Sequence, residues 1–379
     1  MKQNLQQPKK RIILSGGGTG GHIFPAIAIA NALKAKLDDP EILFIGAQGK
    51  MEMEKVPKAG YKIKGLWISG LQRKLTVKNL LFPVKLISSL IKAKSIITSF
   101  KPDVVIGTGG YASGPTLKIA SSKGIPCLIQ EQNSFPGITN RLLSSRVSKI
   151  CVAYDNMDKF FPKEKIIKTG NPIRKDITIL KGKKEEGLKE FGLSANKPTL
   201  LIVGGSQGAR SINLQIIEMI KTLIDNDIQL LWQTGVHFAD IAKAKLKELK
   251  NEYNNAEELI KITPFIYQID LAYAIADVVI SRAGAIAISE LSVAGKACIL
   301  VPLPSAAEDH QTKNAQSLVD KKSAIMVRDN EMSDKLHDLA LNLLQDKEKQ
   351  IKLSKNILKM AIPDAADKIA DEVINIIKK

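Results

Sequence analysis

Short apolar runs recur along the chain, each closed by glycine or small polar residues and followed by a segment of helical spacing. The clearest are RIIL at 11–14, EILFIG at 41–46, DVVIG at 103–107, CLIQE at 127–131, TLLIV at 199–203, QLLWQ at 229–233, DVVIS at 277–281 and ACILV at 297–301. Runs of this kind predict strands covered on both faces, and their alternation with helices predicts an α/β protein built on parallel sheets. Two of them open alike: RIILSGGGTGGH at 11–22 and TLLIVGGSQGAR at 199–210 each pass from strand through glycines into a helix. Glycine lets a backbone turn sharply and approach an anion, which the following helix start attracts. Two such openings predict two Rossmann-like domains, residues 1–174 and 175–361, with the lysine-rich KGKKEEGLKEF at 181–191 as the connection. A last helix within 362–379 carries Ile369, Val373, Ile376 and Ile377 on one face, and packing back on the first domain is one way to cover it.

A length of 379 residues and 44% hydrophobic content suit two packed cores. No apolar run reaches the roughly 20 residues of a membrane span, and the N-terminal MKQNLQQPKK lacks the apolar segment of a signal peptide, so a cytoplasmic location is expected. Cys127, Cys151 and Cys298 lie in strand-like contexts without metal spacing and read as buried thiols. The net charge of +18 changes the picture more. Between Lys55 and Pro102 stand eleven Lys or Arg and no Asp or Glu, interleaved with Leu66, Trp67, Leu75, Val77, Leu80, Leu81, Phe82, Leu86, Leu90 and Ile91. With no nucleic-acid reading motif in sight, this basic and apolar stretch fits an anionic membrane surface better than nucleic acid.

Candidate chemistry follows the strand ends. Gly16, Gly18 and Gly21 have G-x-G-x-x-G spacing, but the next strand ends in Gly46-Ala47 without the acid that would hold a dinucleotide ribose, and no Gly-Lys-Ser/Thr follows. Neither a nicotinamide enzyme nor a P-loop nucleotidase is expected. A second glycine turn spans Thr108 to Pro115, and polar Gln132 to Gly137 follow CLIQE. Arg174, just past Gly170-Asn171-Pro172, is placed for a diphosphate. Glu290, early in the helix after Arg282-Ala283-Gly284, can accept both hydroxyls of a ribose. Asp225-Asn226-Asp227 lies before a strand rather than after one and reads as a turn, so no metal site is expected.

Taken in order, GGGTGGHIFPA, GTGGYASGP, QEQNSFPGITN, GNPIR, GGSQGARSIN, SRAGAIAISEL and AEDHQTKNA resemble the MurG family of bacterial cell-wall glycosyltransferases, from about Arg11 to the last helix. The resemblance implies a GT-B fold, two Rossmann-like domains facing across a cleft, with no cofactor and no metal. It implies an inverting transfer of N-acetylglucosamine from UDP-N-acetylglucosamine to the 4-hydroxyl of the muramoyl unit of lipid I, giving lipid II for peptidoglycan synthesis. Residues 1–174 would serve the acceptor and the membrane, 175–361 the donor, with the enzyme peripheral on the cytoplasmic face of the inner membrane. Another GT-B glycolipid synthase using a UDP-sugar is the alternative, disfavoured by the first-half motifs.

By motif match the donor residues are Thr19, Gly20, Gly21, Asn133, Arg174, Ser206, Ile266, Ala285, Ile286, Ala287, Ile288, Ser289, Glu290 and Gln311. Ser206 and its loop would hold diphosphate, the Ile266 backbone uracil, Glu290 the ribose, and Asn133 and Gln311 the sugar. Gly18, His22, Gly109, Gly110, Tyr111 and Glu131 would surround the acceptor. Inversion needs a base: His22, whose place near a helix start disfavours the imidazolium, or Glu131. Ala287 and His310 stand where some relatives carry a hydroxyl side chain and a glutamine.

Overall fold

The computed structural model describes residues 9–70, 81–205 and 207–378. The chain divides into two compact units, one running to Ile173 and resuming at Asp364, the other spanning Arg174–Pro363. In the first, seven strands form one parallel sheet: β1 (Arg11–Gly16), β2 (Glu41–Ala47), β3 (Lys62–Leu66), β4 (Val104–Gly109), β5 (Cys127–Glu131), β6 (Lys149–Val152) and β7 (Ile166–Lys168). Their order is β3-β2-β1-β4-β5-β6-β7. Because successive side chains point to opposite faces, Ile12 and Leu14 enter a core with Ile23, Ile29 and Leu33 of α1 (Gly20–Lys36). Ile13 enters another on the far face with Ala93 and Ile97. The C-terminal helix Ala365–Lys378 lays Ile369, Ala370 and Val373 into the α1 side, with Lys36 bonded to Asp371 at 2.6 Å.

Three more helices matter here: α2 (Glu52–Lys58), α3 (Phe82–Phe100) and α4 (Ser113–Ser122). α3 buries Ser89, Ala93, Ile96 and Ile97 at helical spacing, while Val84, Ile87 and Ile91 stay 53%, 59% and 66% exposed on its other side. Leu75, Val77 and Leu80 of the basic stretch lie outside the described residues. Among the described residues no helix is long and apolar enough to cross a membrane.

The second unit has six parallel strands: β8 (Thr199–Val203), β9 (Gln229–Gln233), β10 (Ile260–Thr263), β11 (Val278–Arg282), β12 (Ala297–Val301) and β13 (Ile325–Met326), in the order β10-β9-β8-β11-β12-β13. Trp232, fully buried, satisfies its indole N–H on Asn213 Oδ1 at 3.0 Å. The segment KGKKEEGLKEF is no free connection. Lys184–Phe191 is a helix of this unit, and Lys183 before it pairs with the nearly buried Asp270 at 2.6 Å. The two units divide between Ile173 and Arg174. The polarity of 181–191 misled about the connection because charge on one side of a helix leaves the other, here Gly187, buried. Asp227 sits at φ +56° in the turn before β9 and pairs with Lys197 at 2.7 Å. The three cysteines are buried and free, and burial pushes each thiol up to about 12.

Candidate functional site

The strand order reverses direction between β1 and β4 in the first sheet and between β8 and β11 in the second. Open α/β sheets bind ligands beyond the carboxyl ends of such strands, and each unit gathers glycine and polar side chains there.

In the first unit the loops after β1 and β4 meet backbone to backbone. Gly110 has φ +83°, and a Cβ on it would collide with the Gly17 carbonyl. Thr19, exposed and extended, caps α1 through its carbonyl, which accepts from His22 N–H at 3.1 Å. Gly20 and Gly21 form the first turn of α1. The half-buried His22 places Nδ1 2.9 Å from Thr108 O and 3.2 Å from Gln132 Oε1, and its own carbonyl accepts from Thr108 Oγ1 at 2.8 Å. Tyr111 is 48% exposed, its ring over Gly18.

The N–H of Gly18 is already engaged by Glu52 Oε2 at 3.1 Å, while Glu52 Oε1 accepts from Ala47 N–H at 2.9 Å. Glu52 is fully buried, and sequence reasoning missed it: nothing in MEMEKV sets it apart from Glu54, which is exposed and pairs with Lys58. Glu131 is buried too. It accepts from Asn133 N–H at 3.0 Å, Asn133 Nδ2 at 3.2 Å, Gly137 N–H at 3.2 Å and Asn140 Nδ2 at 2.8 Å. Burial raises its pKa, and these donors oppose the rise. The neighbouring amides bond mainly to one another. Gln130 Nε2 donates to Asn171 Oδ1 at 3.0 Å, and Asn171 Nδ2 to Gln132 O at 3.0 Å.

In the second unit a groove of about 680 Å³ lies at the reversal point, lined by Gly204, Gly205, Gly208, Arg282, Gly284, Ala287, Leu303 and Gln311 among others. Ser206 lies outside the described residues. Gly208, at φ +77°, lets its loop press on the Thr234 carbonyl where any Cβ would collide. Helix Ala285–Ala294 starts beside the groove after an extended Gly284, with no acid in its first turn, so its positive end lies at the groove. Gln311 accepts from Leu303 N–H at 3.0 Å, holding the loop that rises from β12. Two lining or supporting residues were given no role in the sequence reading. Arg282 donates to Asp329 at 2.6 Å, to Ser211 at 2.6 Å and to the Val301 and Pro302 carbonyls. Gln233 bonds both Gly205 O and the N–H of buried Ile266.

Along the same helix Glu290 forms a separate cluster. Tyr273 Oη approaches its Oε2 at 3.4 Å, and burial pushes the carboxyl up to about 7, with Asp176 adding to the rise and Arg174 opposing it. Among the described residues Arg174 makes long contacts, 3.4 Å to Tyr267 O and 3.6 Å to Asp176. It stands by Glu290 and does not line the groove. Of the residues expected to bind donor, Thr19, Gly20, Gly21 and Asn133 thus belong to the first unit. Arg174, Ile266, Ala285 to Glu290 and Gln311 belong to the second.

Comparison with known proteins follows the same division. Residues 12–152 match the glycosyltransferase family 28 N-terminal domain, and 199–369 its C-terminal domain. The chain is 54% identical, over 98% of either chain, to the UDP-N-acetylglucosamine–N-acetylmuramyl-(pentapeptide) pyrophosphoryl-undecaprenol N-acetylglucosamine transferase of Cytophaga hutchinsonii. The transferase of the same name from Flavobacterium psychrophilum is 52% identical over 97% of this chain and 98% of its own. Among solved structures, MurG of Acinetobacter baumannii superposes with a TM-score of 0.76 at 29% identity, covering 97% of this chain and 99% of that one. A UDP-GlcNAc 2-epimerase of Neisseria meningitidis, at 15% identity over 97% and 100% and a TM-score of 0.67, shares the fold alone.

Proposed function

The chain belongs to glycosyltransferase family 28, and from that premise we propose that it transfers N-acetylglucosamine from UDP-N-acetylglucosamine to the muramoyl 4-hydroxyl of lipid I, giving lipid II. The observation that carries this reading is the end-to-end likeness to transferases named for that reaction. The reaction is one displacement with inversion. The acceptor oxygen forms a bond to C1 of the sugar, the C1–oxygen bond to the β-phosphate breaks with its electron pair leaving on UDP, and the hydroxyl proton passes to a base.

His22 is that base. Its Nδ1 faces carbonyl oxygens, which suits a neutral ring with an accepting Nε2. Glu131, saturated by loop donors, shapes the Asn133–Gly137 turn and takes no proton. Departing UDP is stabilised by the glycine loop after β8, the start of helix Ala285–Ala294 and Arg174, whose guanidinium is not tied up by short bonds. The Ile266 N–H is engaged by Gln233, so its carbonyl takes uracil N3–H. Glu290 accepts the ribose hydroxyls, and Asn133 and Gln311 grip the sugar.

The acceptor sits in lipid, and the exposed Val84, Ile87 and Ile91 of α3, with Trp67 and Lys85 beside it, form the face that meets an anionic membrane. The enzyme then works as a peripheral protein on the cytoplasmic face of the inner membrane. The deciding experiment is transfer of radiolabelled sugar from UDP-N-acetylglucosamine to a short-chain lipid I analogue in EDTA. Transfer is expected. No transfer by a folded protein that binds UDP would redirect the assignment to a diacylglycerol acceptor.

A further inference from the structure

Gln132 is 2% exposed, and its amide can sit only one way round. Its Nε2 lies 2.8 Å from Thr108 O and 3.2 Å from Gln130 O, and also contacts Gln130 Oε1. A carbonyl oxygen accepts and never donates, so the nitrogen must face Thr108 and Gln130, and the oxygen is left facing His22. The amides behind it are directed in the same sense. Asn171 gives its Nδ2 to the Gln132 carbonyl, which turns its Oδ1 toward Gln130 Nε2 and leaves Gln130 Oε1 for Gln132.

This directed chain ends on the imidazole. His22 Nδ1 looks at two oxygens, Thr108 O at 2.9 Å and Gln132 Oε1 at 3.2 Å, and both are acceptors. A protonated Nδ1 is the state that can donate to them. In a neutral ring the lone pair is then on Nε2; the other tautomer sets a bare nitrogen against both oxygens and takes this donor from Gln132 Oε1, while Thr108 O keeps Gln132 Nε2.

We propose that Gln132 is a positioning residue for the transfer: with the Thr108 carbonyl it holds neutral His22 as the Nδ1–H tautomer and aims the Nε2 lone pair at the acceptor hydroxyl. The inference rests on the reading of His22 as base. Gln132 does not touch substrate, so its removal acts on the rate of proton transfer and leaves both substrates bound as before.

The protein has four histidines, so imidazole ¹⁵N spectra of the full chain labelled at histidine, compared with His22→Gln, identify the His22 signals. A neutral His22 protonated at Nδ1 is expected, and protonation at Nε2 overturns the proposal whatever the variants do. In Gln132→Met, which keeps the volume and removes the amide, the His22 signals should move toward a mixture of tautomers. kcat should fall roughly tenfold to a hundredfold, within the range a general base contributes, with KM for donor and acceptor within about twofold. An unchanged kcat in a folded Gln132→Met overturns the proposal. Full activity in His22→Gln instead removes the base reading beneath it, and the two failures are thereby distinct.

Discussion

Gln233 accepts the backbone N–H of Ile266 on its Oε1 at 3.0 Å. Its Nε2 donates at 2.9 Å to the carbonyl of Gly205, so one buried amide ties the residue proposed to meet uracil to the loop proposed to meet diphosphate. Gln233→Leu strands a buried N–H, at a cost of about 1–3 kcal/mol. Because both ends of the donor site lose their tie, UDP affinity is expected to fall by roughly tenfold. Calorimetric titration with UDP checks this, and an unchanged Kd in a folded variant would detach Gln233 from the donor site.

Glu290 carries a pH dependence whose sign follows from its burial. Its carboxyl titrates near 7 in the folded protein against 4.5 as the reference value. Between those values the folded state holds a proton the unfolded state has lost, so this group's contribution to stability falls as pH rises from about 4.5 through 7. Replacement by glutamine removes the titration. The gain in Tm of Glu290→Gln over wild type should therefore grow between pH 5 and 8. UDP binding runs the other way: ribose hydroxyls prefer the ionised carboxylate, so wild-type affinity should improve across the same interval while that of Glu290→Gln stays flat. A parallel pH dependence in both proteins would remove Glu290 from the ribose.

The two sheets and their glycine openings were legible because unbroken apolar runs and glycine clusters are local signals. So was the placing of Thr19, Gly110, Asn133, Ile266 and Ala285 just beyond the ends of β1, β4, β5, β10 and β11, since chemistry collects at strand ends. The second tier was not legible. Glu52, Gln233, Arg282 and Asp329 act through partners 5 to 118 residues away in sequence, and a carboxylate that caps backbone N–H groups looks, in one dimension, like any surface acid. Nor were the bonds within the polar run Gln130–Asn133 legible: buried polar groups need partners, and here Gln130, Glu131, Gln132 and Asn133 supply several of them to one another.

Glu52 should matter to the acceptor side alone. Glu52→Ala leaves the N–H groups of Gly18 and Ala47 without their acceptor, a loss on the order of 3 kcal/mol in stability. Glu52→Gln keeps one accepting oxygen and should lose less. Urea unfolding measures the difference. Because both bonds lie in the first unit, KM for the lipid I analogue should rise in Glu52→Gln with donor KM unchanged; a rise in donor KM alone would contradict the assignment of the first glycine loop to the acceptor.

The exposed side of α3 gives a test that separates membrane docking from chemistry. Val84, Ile87 and Ile91 recur at helical spacing, each more than half exposed, while the buried contacts of the helix come from Ser89, Ala93, Ile96 and Ile97. Changing Ile87 and Ile91 to glutamate therefore leaves the core intact, and Tm should stay close to wild type. Each isoleucine that enters the lipid interface gains about 1.5–3 kcal/mol at full burial, and each new carboxylate meets anionic headgroups unfavourably. The double variant should lose vesicle binding by roughly a hundredfold in flotation with phosphatidylglycerol-containing liposomes. Wild-type binding should weaken with added salt, as expected where basic side chains share the work. Transfer to a water-soluble, short-chain acceptor should survive the substitutions and transfer to full-length lipid I in vesicles should not. Equal loss on both acceptors would place α3 in the transfer site rather than at the membrane.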